Sequence, residues 1–376
     1  MMNNQVLHIL PDEKVTANFI KLMNEASFGL SFYIIIGKSA FPKNAKLIDE
    51  QNVIYININD QWEVSKVKSL INNYRIVCFH SDEGLPIFDK YHRNKYYYVI
   101  WGADLYETLL APCGYQLYEN EYIQYKVRAG HMPVFLYKFL VKIRDLTRKQ
   151  ILLKKMHLID GIISIKCDYD LLSLYFPSLK IPFIGTFCYY PIEDLVGAKN
   201  LNQYCFGKDV WVNNSPAMNG NHVSVFCKLK QFSNDIKVHS PLAYGDARFI
   251  NYLKQKGYEI LGNKFIPLTT FVDPDVYYEK FLSANAFIFG HYRQCGFGNV
   301  LMALYFGGKC FFYKENPLLN YLRELDFTVF EIESDLSESF ATTSLDTNLR
   351  EKNRRLVNEL SSHNAILKQL RTLFSC

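Results

Sequence analysis

Short apolar runs alternate with longer stretches of helical periodicity along nearly the whole chain. The runs Val6–Leu10, Phe32–Ile36, Val53–Ile58, Ile76–Phe79, Tyr96–Ile100, Gly161–Ile165 and Phe183–Ile184 read as buried strands. Glu13–Ala26 and Val64–Asn72 read as helices between them. After a polar, tyrosine-containing stretch at Pro191–Lys208 the alternation restarts. Strands are expected at Val210–Val212, Ile236–His239, Glu259–Leu261, Ala286–Phe289, Cys310–Tyr313 and Val329–Ile332. Helices are expected at Asn221–Phe232, Ala247–Lys256 and Asp275–Ala284. A charged helix over about Thr347–Phe374 has apolar positions at Leu349, Leu356, Leu360, Leu367 and Leu370, and its length lets it pack across both halves. Strand–helix alternation predicts parallel sheets covered on both faces.

At 376 residues the chain divides naturally into two domains. The expected division is 1–190, then 209–345, then a terminal helix over 346–376. This predicts an α/β chain of GT-B type: two doubly wound, Rossmann-like domains facing a central cleft. The 49% apolar content supports complete folding and argues against disorder. Nine scattered cysteines lack metal-finger spacing, and no long apolar run or leader pattern is present, so a reduced, cytoplasmic protein is expected.

In such sheets, ligands bind beyond the carboxyl ends of strands, so those loops hold the candidate chemistry. In AFIFGHYRQCGFGNVLMALYFGGKCFFYKENP, residues 286–317, a glycine loop delivers the chain to a helix start. Gly296 and Gly298 allow close backbone approach, and free N–H groups at the helix start attract phosphate. The spacing lacks the third glycine of the dinucleotide fingerprint, so a plain strand–loop–helix turn stays open.

Asp104 and Glu107 follow the strand Tyr96–Ile100 on one helical turn. Either can serve as general base or acceptor anchor, and Asp104 can equally be a helix cap. His80 ends another strand and is the second choice for base. Asn214, Ser215 and His222 lie in a polar loop after Val212, with Asn219 or Asn221 as the expected helix cap. Tyr244 follows a further strand, where its ring can stack on a base.

The formal charge of +5 is modest, yet residues 126–155 hold nine basic residues against the single acid Asp145, a local +8. Phe135, Leu136, Tyr137, Phe139, Leu140 and Ile143 are interleaved. This composition suits an anionic membrane surface; a solvated helix face is the plainer alternative, and nothing points to nucleic acid.

The segments WGADLYE at 101–107, Asn214-Ser215 with His222, Pro241 with Tyr244-Gly245, and Gly296-x-Gly298 followed by Glu315-Asn316-Pro317 together resemble the family 56 glycosyltransferases. That family is represented by the Fuc4NAc transferase of enterobacterial common antigen synthesis. The resemblance runs over roughly residues 76–320. Asn299 stands where the family has threonine, and the Asn213–His222 loop lacks the family's acidic and arginine residues.

The resemblance implies a GT-B enzyme that needs neither metal nor other cofactor. Its donor is a nucleotide sugar, typically TDP-linked Fuc4NAc, and its acceptor a lipid-linked saccharide at the cytoplasmic membrane face. Asp104, His80 and Glu107 are then the catalytic candidates. Asn214, Ser215, His222, Tyr244, Arg293, Gly296, Gly298, Asn299 and Glu315 are the donor-site candidates, with Arg293 facing the leaving diphosphate. A nucleotide-sugar epimerase of the same architecture and a non-catalytic membrane-surface module are the rival readings.

Overall fold

Two all-parallel sheets organise the chain, one per compact unit. The structure is a computed structural model and describes residues 3–27, 30–39, 42, 52–87, 94–120, 126 and 128–374. The first unit comprises 1–115, 143–191 and 360–376; the second comprises 116–142 and 192–359.

The first sheet contains β1 (Asn3–Pro11), β2 (Ser31–Gly37), β3 (Val53–Asn57), β4 (Tyr74–His80), β5 (Lys95–Val99), β6 (Gly161–Ile163) and β7 (Phe183–Gly185). Their order is β3-β2-β1-β4-β5-β6-β7, which reverses direction between β1 and β4. Leu7, Ile9, Leu10, Val77, Cys78 and Phe79 are all buried, as expected of central parallel strands covered on both faces. The helix Gln61–Ile71 begins where Asp60 accepts hydrogen bonds from Trp62 N at 2.9 Å and Glu63 N at 3.3 Å.

The second sheet contains β8 (Asp209–Val212), β9 (Val238–Pro241), β10 (Phe265–Leu268), β11 (Ala284–Phe289), β12 (Lys309–Phe312) and β13 (Phe330–Glu331). Its order is β10-β9-β8-β11-β12-β13, with the reversal between β8 and β11. Both sheets are therefore doubly wound, in agreement with the sequence reading.

One expected strand is wrong. Glu259–Leu261 is the last turn of the helix Ala247–Leu261, whose inward face is Phe249, Leu253, Gly257 and Leu261. The strand comes after it, at Phe265–Leu268, and contains Pro267. Proline lowers strand expectation, but β10 is the edge strand, where a missing N–H is tolerated.

The terminal helix is also two helices. Thr347–Ser361 belongs to the second unit except for its last two residues, and His363–Phe374 belongs to the first. Asn353, Val357 and Ser361 are its buried positions before the break, whereas Leu356 and Leu360 are half-buried. Beyond the break, Ile366, Leu367, Leu370, Leu373 and Phe374 join the core formed by Val6, Phe19, Met23, Tyr33 and Cys78.

Candidate functional site

The second unit builds its site at the reversal between β8 and β11. Asn213 leaves β8 with φ +59. Its Oδ1 accepts from Gly290 N and its Nδ2 donates to Gly220 O, both at 2.8 Å. One side chain thereby ties the loop after β8 to the loop after β11. Asn221 adds a second tie, donating to Gly290 O at 2.8 Å while accepting from Glu119 N at 3.0 Å. Asn221 occupies the residue before the helix His222–Leu229 but does not cap it with its side chain. The amides expected to receive a ligand or cap a helix are partly spent on holding the two loops together.

The two glycines of the next loop differ. Gly296 precedes the helix Phe297–Tyr305 with φ +65, and a Cβ there would lie 2.7 Å from the Asn214 side chain. Gly298 lies within the helix, and a Cβ there would meet only Leu195 methyls at 3.5 and 3.6 Å. Gly296 therefore meets a strict backbone requirement that Gly298 does not. The first N–H groups of this helix have no intrahelical acceptor by construction.

Asn214 Oδ1, Asn219 Oδ1 and both ring nitrogens of His291 are buried without a protein hydrogen-bond partner. Burial, then the adjacent Arg293, lowers the His291 pKa to about 3; burial, then His291, lowers that of His222 to about 3. Arg293 is itself buried and donates through Nε to Gln294 O at 3.1 Å. Asn299 Oδ1 accepts from Tyr277 Oη at 3.4 Å.

Tyr244 is half exposed beyond β9, and its ring lies parallel to exposed Phe271, with centroids 6.2 Å apart. Sequence reasoning missed Phe271, since the β10 strand preceding it was not expected. Glu315 is exposed beyond β12, and Asn316 caps the helix Pro317–Glu324 by accepting from Leu318 N at 3.0 Å.

In the first unit, WGADLYE forms the turn after β5 and a short π-helix over Asp104–Leu110. The Asp104 carboxylate accepts from Tyr98 Oη at 2.6 Å, Trp101 N at 3.1 Å and Leu105 N at 3.0 Å. It is 2% exposed. Burial raises its pKa, against the stabilising hydrogen bond from Tyr98. Asp104 is a buried clasp for its own loop, with its oxygens held by internal donors. Glu107, one turn on, is exposed.

His80 is likewise held by internal partners. It is 0% exposed, with Nδ1 3.0 Å from Tyr189 Oη and Nε2 3.2 Å from His8 Nδ1. Trp101 Nε1 donates to the same Tyr189 hydroxyl at 2.5 Å. Burial, then His8, holds the His80 pKa well below its ordinary value. A ring so enclosed does not face an acceptor hydroxyl.

No family model matches the chain. Among solved structures it is similar to sucrose-phosphate synthase from Thermosynechococcus elongatus, at 13% identity and TM-score 0.65, over 99% of this chain and 98% of that one. A glycosyltransferase from Rickettsia africae gives 12% identity and TM-score 0.63, over 99% and 97%. HepE of Anabaena, solved with UDP-glucose, gives 11% identity and TM-score 0.64, over 99% of each chain. These full-length likenesses, with the two parallel sheets, show the two-domain Rossmann-like fold of the GT-B class.

Proposed function

We propose that this chain is a glycosyltransferase that moves a sugar from a nucleoside-diphosphate donor to a lipid-linked saccharide. The carrying observation is the loop pair of the second unit. Asn213 and Asn221 fasten the ends of β8 and β11 together, Gly296 opens a helix start beside Asn214, and Asn214, Asn219 and His291 of these loops leave buried polar atoms unpartnered. Buried polar atoms without partners are rare, and at a sheet reversal beside a helix N-terminus they suit a diphosphate. Arg293 supplies positive charge against the departing group. Tyr244 and Phe271 offer ring faces for a base. UDP-glucose in HepE supports a nucleotide-sugar donor, and the family 56 resemblance favours a TDP-linked acetamido-deoxy sugar.

On the acceptor side, Glu107 replaces Asp104 and His80 as first choice for general base, because it is the exposed carboxylate of the WGADLYE turn. The lipid-linked acceptor is supported by the helix Val134–Met156. Phe135 is 77% exposed and Phe139 59%, and Leu136, Leu140 and Ile143 are exposed among the basic residues. No helix among the described residues is long and apolar enough to cross a membrane, so the proposed attachment is peripheral, on the cytoplasmic face.

The test is a panel of UDP- and TDP-sugars with and without a polyprenyl-diphosphate saccharide. Diphosphate release that needs the acceptor is expected. Sugar isomerisation without acceptor establishes the epimerase reading instead, and binding to vesicles with neither reaction leaves the membrane-surface module.

A further inference from the structure

The first unit contains a cluster of donor atoms that glycosyl transfer does not use. His8 on β1 and Cys78 on β4 are register partners in neighbouring parallel strands, and His80 lies two residues beyond Cys78 on the same face. His8 Nδ1 and His80 Nε2 are 3.2 Å apart. Each residue presents one ligand atom, and the three atoms lie within 4.8 Å of one another. All three residues are 0% exposed. The His8 ring is enclosed by Tyr33, stacked at 5.5 Å, and by Phe19 and Phe374 edge-on at 5.1 and 4.8 Å.

We propose that His8, Cys78 and His80 form a three-coordinate site for one thiophilic cation, Cu(I), between the two strands at the reversal of the first sheet. Two imidazole nitrogens bound at about 2.0 Å to one ion stand roughly 3.3–3.6 Å apart, so the observed separation needs only a few tenths of an ångström of adjustment. The N₂S donor set is soft to borderline, which suits Cu(I) or Zn(II) over hard cations. Charge and ligand count then favour Cu(I). A thiolate with a monovalent ion is neutral, whereas Zn(II) would leave a net positive charge in an apolar core and lack its usual fourth ligand.

The surroundings fit at His80, whereas His8 Nε2 is buried without a partner. A metal-bound imidazole is normally held by a hydrogen bond at its other nitrogen. His80 Nδ1 has Tyr189 Oη at 3.0 Å, and that hydroxyl is held in turn by Trp101 Nε1. Loading exchanges the thiol proton for the ion: Cys78–SH and Cu(I) give Cys78–S–Cu(I) and a released proton. No electron is transferred.

The experiment uses the full chain, refolded anaerobically with Cu(I) held by bicinchoninate, and in a parallel arm with Zn(II). Retained metal is measured by mass spectrometry and its ligands by X-ray absorption. One Cu(I) per chain is expected, with one sulfur and two nitrogen neighbours and a raised melting temperature. Cys113→Ser with Cys227→Ser removes two exposed thiols and should leave uptake intact. Cys78→Ser should abolish the stoichiometric binding. The wild-type result stands even where that variant fails to fold. Wild-type chain that retains no copper, or copper bound only by sulfur, overturns the site. Retention of Zn(II) in place of Cu(I) overturns the assignment of the cation.

Discussion

The Tyr98 hydroxyl donates to Asp104 Oδ2 across 2.6 Å, with both residues buried in the first unit. The same carboxylate gathers the backbone N–H groups of Trp101 and Leu105. Asp104→Asn turns an NH₂ group towards donors that need an acceptor. We expect a loss of about 1–3 kcal/mol in urea unfolding at pH 7, since a buried polar group is left unpaired. Unchanged stability would return Asp104 to the list of free carboxylates.

Glu107→Gln separates catalysis from folding. Turnover should fall about 100-fold or more, as for loss of a positioned base, while the urea midpoint and donor affinity persist. Near-normal turnover of a folded Glu107→Gln protein would remove Glu107 as the base.

The two glycines of the loop after β11 give opposite expectations. Gly296→Ala places a methyl against Asn214 at a positive-φ position, and should weaken nucleoside diphosphate binding in calorimetric titration. Gly298→Ala meets only ordinary contact with Leu195 and should bind nearly normally. Equal effects at the two positions would show that the loop does not shape the pocket as described.

Acid sensitivity follows from His222 and His291, whose pKa values fall to about 3 on burial. Unfolded histidine titrates near 6.5, so between about 3 and 6.5 the unfolded chain binds more protons than the folded one. Their stabilising effect is complete above about 6.5 and declines as pH falls, by about 1.4 kcal/mol per pH unit for each ring. Urea midpoints measured from pH 7 to pH 5 should decrease, and His291→Gln should flatten the slope. An unaltered slope in that variant would mean that His291 is not buried in its neutral form.

For the basic helix, Lys142, Arg144, Arg148 and Lys149 replaced together by Glu should abolish sedimentation with anionic liposomes. Each basic residue near such a surface contributes about 1 kcal/mol. Wild-type binding should weaken as salt rises. Phe135→Ser with Phe139→Ser should also reduce it. Transfer to a lipid-linked acceptor should suffer more than transfer to a water-soluble analogue. If none of the substitutions alters sedimentation, the stretch is a solvated helix face.

Much of the fold was legible because central parallel strands are buried on both faces and leave near-continuous apolar runs such as Tyr33–Ile36 and Val77–Phe79. The failure at Glu259–Leu261 arose where the inward face of an amphipathic helix ends in a short apolar run, while the true strand carries a proline permitted only at the sheet edge. The glycine loop was legible as a loop that delivers the chain to a helix start. Composition cannot show that Gly296 has positive φ while Gly298 is helical. The roles of Asp104 and His80 were hidden for a related reason. Their positions at strand ends were readable, but their partners were not: His8 is brought to His80 by the register of β1 on β4, and Tyr189 lies in a bend beyond β7.

The helix His363–Phe374 has a consequence for biosynthesis. Leu367, Leu370 and Phe374 complete a core begun by Val6, Phe19 and Tyr33. The second unit needs nothing beyond residue 359, whereas the first draws on 360–376. Domains usually mature in the order in which the ribosome delivers them. Here the first unit's core stays incomplete on the face that the helix Lys14–Ser27 shares with His363–Phe374 until synthesis has passed residue 374 and those residues have cleared the exit tunnel. A pause in translation between residues 359 and 374 would prolong that exposure, and the nascent chain would then depend on whatever shields apolar surface at the ribosome.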